Sequence, residues 1–250
     1  MFAPKSVLVT GSTQGIGLEF VKQFLKLPQP PKHIFASCID PKAAKELNDI
    51  SKENFSVKVL QLDVTDQQSC DNAKSFVESI VKDEGLTLLV NNAGINRRCG
   101  FQDVTREDMR SHFEVNAMGP LFVTQTFYPL LKQSSSLQPD LPMSCNKAAV
   151  VMLGSGQASF TENASGGMYP YRAAKVALNM MTLNMSYDLK QDGILCASIA
   201  PGWVKTDMGG PNALVTTEES VQSYFTMLGT LGEEHTGKFY HCVRNAPIPW

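Results

Sequence analysis

Residues 5–17 read Lys-Ser-Val-Leu-Val-Thr-Gly-Ser-Thr-Gln-Gly-Ile-Gly. A short apolar, β-branched run gives way at a glycine-rich turn to a segment with apolar side chains at Leu18, Phe20, Val21, Phe24, Leu25 and Leu27. The spacing predicts a buried strand, a tight turn and an amphipathic helix. Gly11 can make the bend, Gly15 lets the main chain approach a ligand, and Gly17 allows close helix packing. The helix N-terminus then offers free N–H groups to a phosphate. The order is G-x-x-x-G-x-G rather than G-x-G-x-x-G, and turns need glycine for other reasons. Its place between a strand and a helix is what favours a nucleotide.

The same alternation continues along the chain. Strands are predicted at Lys32–Ile39, Phe55–Leu62, Leu86–Val90, Ala148–Leu153 and Ile194–Ala200, with a last edge strand at Gly237–Val243. Asp40-Pro41 reads as the cap and first turn of one helix, and Thr65-Asp66 starts another running to about Glu84. A long helix is expected over Thr105–Lys132, and Gln133–Lys147 is polar enough to read as a surface loop. Thr216–Leu228 fits a short helix. Strands alternating with helices imply one α/β domain, residues 1–250: a doubly wound Rossmann-type parallel sheet of about seven strands, helices on both faces. Ligands of such sheets lie beyond the carboxyl ends of the strands. Gly11, Asp63, Asn91 and Ser155 all fall at those ends.

Composition excludes several functions. The chain has 250 residues, a net charge of −2 and 18% charged residues. That gives no electrostatic footprint for nucleic acid or an anionic membrane. No secretory leader or 18-residue apolar stretch is apparent. The six cysteines are scattered without metal-ligand spacing, and the four histidines form no cluster. Reduced thiols, no metal and a cytoplasmic location are expected.

The chemistry centres on Tyr171-Arg172-Ala173-Ala174-Lys175. Residues four apart on a helix share one face, so phenol and ammonium can share one site. A tyrosine titrates near pH 10, and a neighbouring cation lowers that value, making it a usable acid or base. Tyr-x-x-x-Lys alone also occurs by chance. Asn116 sits mid-helix, where asparagine is a poor helix former. In isolation it is as readily a satisfied polar residue as a functional one.

In order and spacing these motifs resemble the short-chain dehydrogenase/reductase family: Thr10-Gly-x-x-x-Gly-Ile-Gly17, Asn91-Asn92-Ala93-Gly94, Asn116, Ser155, Tyr171-x-x-x-Lys175 and Pro201-Gly202. Gly-Gly-Met-Tyr-Pro-Tyr-Arg-Ala-Ala-Lys, Pro-Gly-Trp-Val-Lys-Thr-Asp-Met-Gly-Gly and Pro-Ile-Pro-Trp further resemble the sniffer-like carbonyl reductases and the C-factor-like proteins. The resemblance implies a reductase of carbonyl compounds (aldehyde, ketone or quinone). Tyr171 would be the general acid, Lys175 would hold the nicotinamide ribose and lower the tyrosine pKa, Ser155 would hold the substrate oxygen, and Asn116 would hold a relay water. Ser155 is assigned by spacing, with Ser159 the alternative. Tyr169 is excluded because its fourth-following residue is Ala173.

By the same resemblance Gly11, Ser12, Thr13, Gly15, Ile16 and Gly17 would line the pyrophosphate, and Asp63 and Val64 would touch adenine. Asn91, Asn92, Ala93 and Gly94 would support the cleft, and Pro201, Gly202, Val204 and Thr206 would meet the nicotinamide end. Cys38 stands where NAD enzymes carry an acid, and Ile39 where NADP enzymes carry an arginine. The resemblance favours NADP(H), with NAD(H) still open. Ser12, Thr13, N–H groups after Asp40, and Lys42 are candidates for the phosphate. The substrate pocket would draw on residues 95–101, 157–168 and 208–221, and two chains would pair through the long helices. The competing reading is a cofactor-bound signalling or scaffold protein with little turnover.

Overall fold

The computed structural model describes all of residues 1–250. Seven strands run parallel: β1 (Ser6–Val9), β2 (His33–Cys38), β3 (Val57–Gln61), β4 (Leu88–Asn91), β5 (Ala149–Leu153), β6 (Leu195–Ala200) and β7 (Phe239–His241). A two-residue β8 (Ala246–Pro247) closes the edge antiparallel to β7. The order is β3-β2-β1-β4-β5-β6-β7-β8. The doubly wound fold read from the sequence is present, with that one short strand added.

The helices are α1 (Gly15–Leu25), α2 (Lys45–Glu53), α3 (Gln67–Val81), α4 (Arg106–Phe113), α5 (Gly119–Ser136), α6 (Tyr169–Asp188) and α7 (Thr217–Leu228). Successive strand residues point to opposite faces, and both faces are covered. Val7, Val9, Val90 and Val151 join Phe20, Phe24, Tyr224 and Phe225 of α1 and α7 in one core. Leu8, Leu89, Val150 and Met152 join Val77, Phe127, Leu131 and Leu178 of α3, α5 and α6 in the other. This double burial is why the strands read as continuous apolar runs.

Three differences from the sequence reading concern α2, α4 and α5. Asp40 caps a turn, not a helix: its carboxylate accepts from Lys42 N at 2.9 Å, and α2 begins only at Lys45. The helix expected over 105–132 is divided by a π-helical turn at Glu114–Met118. It also continues to Ser136, into the expected loop. The serines permit this because Ser134 is buried with its hydroxyl donating to the Lys147 carbonyl at 2.9 Å.

Candidate active site and dinucleotide cleft

The carboxyl ends of the strands open on one continuous cleft with two lobes, of about 770 and 600 Å³. Ile16, Asn92, Gly94 and Thr206 line both.

The larger lobe lies over the glycine turn. Gly11 and Gly15 have φ of 68° and 58°, a region costly for residues with a Cβ. A Cβ on Gly17 would stand 2.1 Å from the Gly11 carbonyl oxygen and 2.6 Å from Asn92 Nδ2. Helix, turn and the β4 loop therefore meet at van der Waals limits. Gln14 precedes α1 without a side-chain cap, leaving the first N–H groups of the helix free for an anion. Asn92 stitches the loops together, its Nδ2 donating to the carbonyls of Thr10 (2.8 Å) and Gly11 (2.9 Å). Thr10 Oγ1 accepts from the N–H groups of Asn92 and Ala93, both at 3.0 Å. A pyrophosphate and its flanking nucleoside fit this cradle.

Gly11, Thr13, Gly15, Ile16, Gly17, Ile39, Asp63, Val64, Asn92, Ala93 and Gly94 all line this lobe. Two expected residues turn away. Ser12 is fully buried, its hydroxyl donating to the Val9 carbonyl at 2.9 Å, so its side chain braces the turn from beneath. Asn91 is buried toward α5, its Nδ2 donating to Thr124 Oγ1 at 3.1 Å; Asn92 alone of the pair supports the cleft. Lys42 does not line the lobe, whereas Lys22 and Lys205 do. Lys22 falls two helical turns after Gly15 on the same face, a spacing that could have revealed it. Its ammonium pairs with Glu46 at 2.6 Å.

The smaller lobe holds Ser155, Tyr171 and Lys175, together with Pro201, Gly202, Val204 and Thr206. α6 begins at Tyr169, two residues earlier than expected, with Pro170 in its first turn. Gly166, Gly167 and Met168 all have positive φ just before it. This reversal sets the tyrosine against the end of β5. Tyr169 points away and packs on Phe101, ring centroids 6.0 Å apart. Ser159 is spent elsewhere, donating to the Pro249 carbonyl at 2.5 Å.

Lys175 is buried, with Nζ donating to the Leu153 carbonyl at 2.7 Å and lying 5.8 Å from the Tyr171 ring centroid. Burial lowers its pKa to about 8. Burial raises the Tyr171 pKa above 10, and a hydrogen bond from Ser155 pulls against that rise. Lys175 is not among the causes of that shift, its ammonium being engaged with Leu153. Asn116 lies in the π turn, fully buried, and lines neither lobe. Its amide accepts from Ile95 N and donates to Ile95 O, both at 2.9 Å. A methyl on Gly94 would lie 3.0 Å from Asn116 Oδ1 and 4.0 Å from Lys175 Nζ, so Asn116 pins the loop beside the lysine.

Of the expected substrate wall, Asn96, Arg98, Gln157, Glu162, Ser165, Met168, Met208 and Gly209 line the lobe. Residues 210–221 do not reach it. Arg172, Trp203, His241 and Arg244 were not foreseen.

An α/β sheet with a glycine cradle beside a serine, tyrosine and lysine defines a nucleotide-dependent oxidoreductase class. The chain belongs to the short chain dehydrogenase family, whose model matches residues 5–214. It is 37% identical over 164 residues to the C-signal of Myxococcus xanthus, covering 65% of this chain and 92% of that protein. The carbonyl reductase Sniffer of D. melanogaster superposes with a TM-score of 0.96 at 35% identity, over 99% of this chain and 100% of the other. An NADPH-bound carbonyl reductase from chicken fatty liver superposes with a TM-score of 0.95 at 37% identity, over all of both chains. No helix is long and apolar enough to cross a membrane.

Proposed function

We propose that this oxidoreductase reduces the carbonyl group of a small molecule to the alcohol, using NADPH. The observation that carries the reading is the convergence of Ser155, Tyr171 and Lys175 in the lobe adjoining the glycine cradle. NADPH is favoured by the likeness to the chicken liver reductase, whose structure holds it, and by Lys22 and Lys205 on the adenosine lobe. When bound, the nicotinamide supplies a hydride, two electrons and a proton's mass, to the carbonyl carbon.

The protein's own residues do the rest. Ser155 donates a hydrogen bond to the carbonyl oxygen, an electrostatic task that rewards a preorganised group. Tyr171 gives its proton to that oxygen as charge develops there. A phenol is protonated at neutral pH, and burial favours that form further. Lys175 would hold the cofactor ribose and support the phenolate left behind. Asn116 is a positioning residue that holds the loop at Ile95 beside Lys175. Two copies pair through the outer faces of α5 and α6, where Phe122, Met180 and Tyr187 are exposed. The six free, buried thiols suit a reducing compartment such as the cytoplasm.

Tyr171→Phe tests the reading. Turnover of aromatic aldehydes, diketones or quinones should fall roughly 10²–10⁴-fold, while NADPH binding by fluorescence titration stays within a few-fold. A variant retaining more than about a tenth of turnover removes Tyr171 from the chemistry. A wild type that binds NADPH yet oxidises none of it across that screen would favour the signalling reading, which the likeness to the C-signal keeps in view.

A further inference from the structure

The lobe around Tyr171 carries charge that carbonyl reduction does not use. Its walls present four cations (Arg98, Arg172, Lys175 and Arg244) and one carboxylate, Glu162. Lys175 serves the tyrosine. Glu162 is consumed by Arg244 in a forked pair at 2.9 and 3.1 Å. Burial lowers the pKa of His241, so it adds no charge at neutral pH.

Arg98 and Arg172 are left without a carboxylate. Arg98 donates to the Gly209 carbonyl at 3.1 Å. Arg172 donates to the Gln157 carbonyl at 3.3 Å and to Ser165 Oγ at 2.9 Å, and its Nε is buried with no partner. Arg97, next in sequence to Arg98, differs: it pairs with Asp108 at 2.5 Å and lies outside the lobe. Neither free arginine lines the glycine-turn lobe, so neither belongs to the pyrophosphate. A guanidinium that lines a cleft and meets only neutral acceptors leaves its charge unmatched, and a planar carboxylate is its best complement.

We infer that the substrate carries a carboxylate as well as its carbonyl, and that Arg172 and Arg98 hold the carboxylate while Ser155 and Tyr171 receive the carbonyl. The inference rests on the carbonyl-reduction reading and narrows it to oxo-acids.

The test compares 4-formylbenzoate with its methyl ester, the same aldehyde with and without the charge, under NADPH. The acid should exceed the ester in kcat/KM by about tenfold or more, the factor expected for a charge-assisted hydrogen bond. The ratio should fall toward one in the Arg98→Met/Arg172→Met double variant and recover in part with lysine at both positions. An ester reduced as well as the acid, or a preference that survives the double variant, overturns the inference. If neither compound is reduced, binding decides. Terephthalate should then raise the Tm of the NADPH complex more than its dimethyl ester does, and lose that advantage in the double variant. Equal shifts for diacid and diester overturn the inference.

Discussion

Gly17→Ala should disable the cleft without touching any group that does chemistry. The new Cβ would meet a main-chain oxygen at 2.1 Å, where contacts under 3.0 Å are essentially never seen. The Gly11 carbonyl is not the end of a flexible side chain. It must withdraw by about 1 Å, or α1 must, and Asn92 Nδ2 at 2.6 Å blocks the other direction. Overpacking of this kind costs roughly 1–3 kcal/mol. Displacing Asn92 also threatens its bonds to Thr10 and Gly11, at about 1 kcal/mol each. About 3–5 kcal/mol in total corresponds to roughly 6–20 °C of Tm in a chain of this size. NADPH affinity should fall by at least tenfold, because the moved atoms form the cradle. Gly100→Ala is the control, since its Cβ would meet only Asp103 at 3.5 Å and should change Tm by under about 2 °C. Scanning calorimetry and fluorescence titration give both numbers. A Gly17→Ala protein with unchanged Tm and unchanged NADPH affinity would refute the reasoning.

Three further outcomes are expected. Ile39→Arg places a guanidinium at an exposed site on the adenosine lobe, and should raise the kcat/KM ratio of NADPH to NADH about tenfold or more; an unchanged ratio, or a wild type strongly preferring NADH, counts against the assignment. Lys175 has a folded-state pKa of about 8, below its ordinary 10.5, so below pH 8 the folded protein bears the full cost of a buried charge. As pH rises from 8 to 10.5 that cost fades, and cofactor-free wild type should gain stability relative to Lys175→Met by up to about 3 kcal/mol, read by urea denaturation at pH 7.5 and 10; a flat difference would mean the lysine is not desolvated. Light scattering at micromolar concentration should give twice the chain mass, and Met180→Glu on the exposed face of α6 should give the single chain; a wild-type monomer rejects the pairing.

The strands and glycine turns were legible because their causes are local. A strand buried on both faces shows as an apolar run, and a main chain under compression demands glycine. Ser12 and Asn91 show where locality ends. Each sits inside the expected motif, yet Ser12 points down to Val9 and Asn91 across to Thr124, directions set by how β1 and β4 lie in the sheet. The π turn at Asn116 was equally hidden, since a five-residue widening leaves no mark on a 3.6-residue pattern. The asparagine itself was visible as a poor helix former and through the family resemblance, but not as a member of a π turn.

The charges of the substrate lobe were the least legible. Arg98, Glu162, Arg172 and Arg244 come from four separate segments, and ordinary surface arginines look the same in a sequence. What separates them is pairing, a property of the folded chain alone. Arg97 and Arg244 each find a carboxylate, and Arg98 and Arg172 do not. Tyr171 and Lys175 show the same limit. Proximity of a lysine four residues on is written in the sequence, but the ammonium's hydrogen bond to Leu153 and the burial of the phenol are not. Burial favours the protonated phenol, and that too is a property of the fold rather than of the spacing.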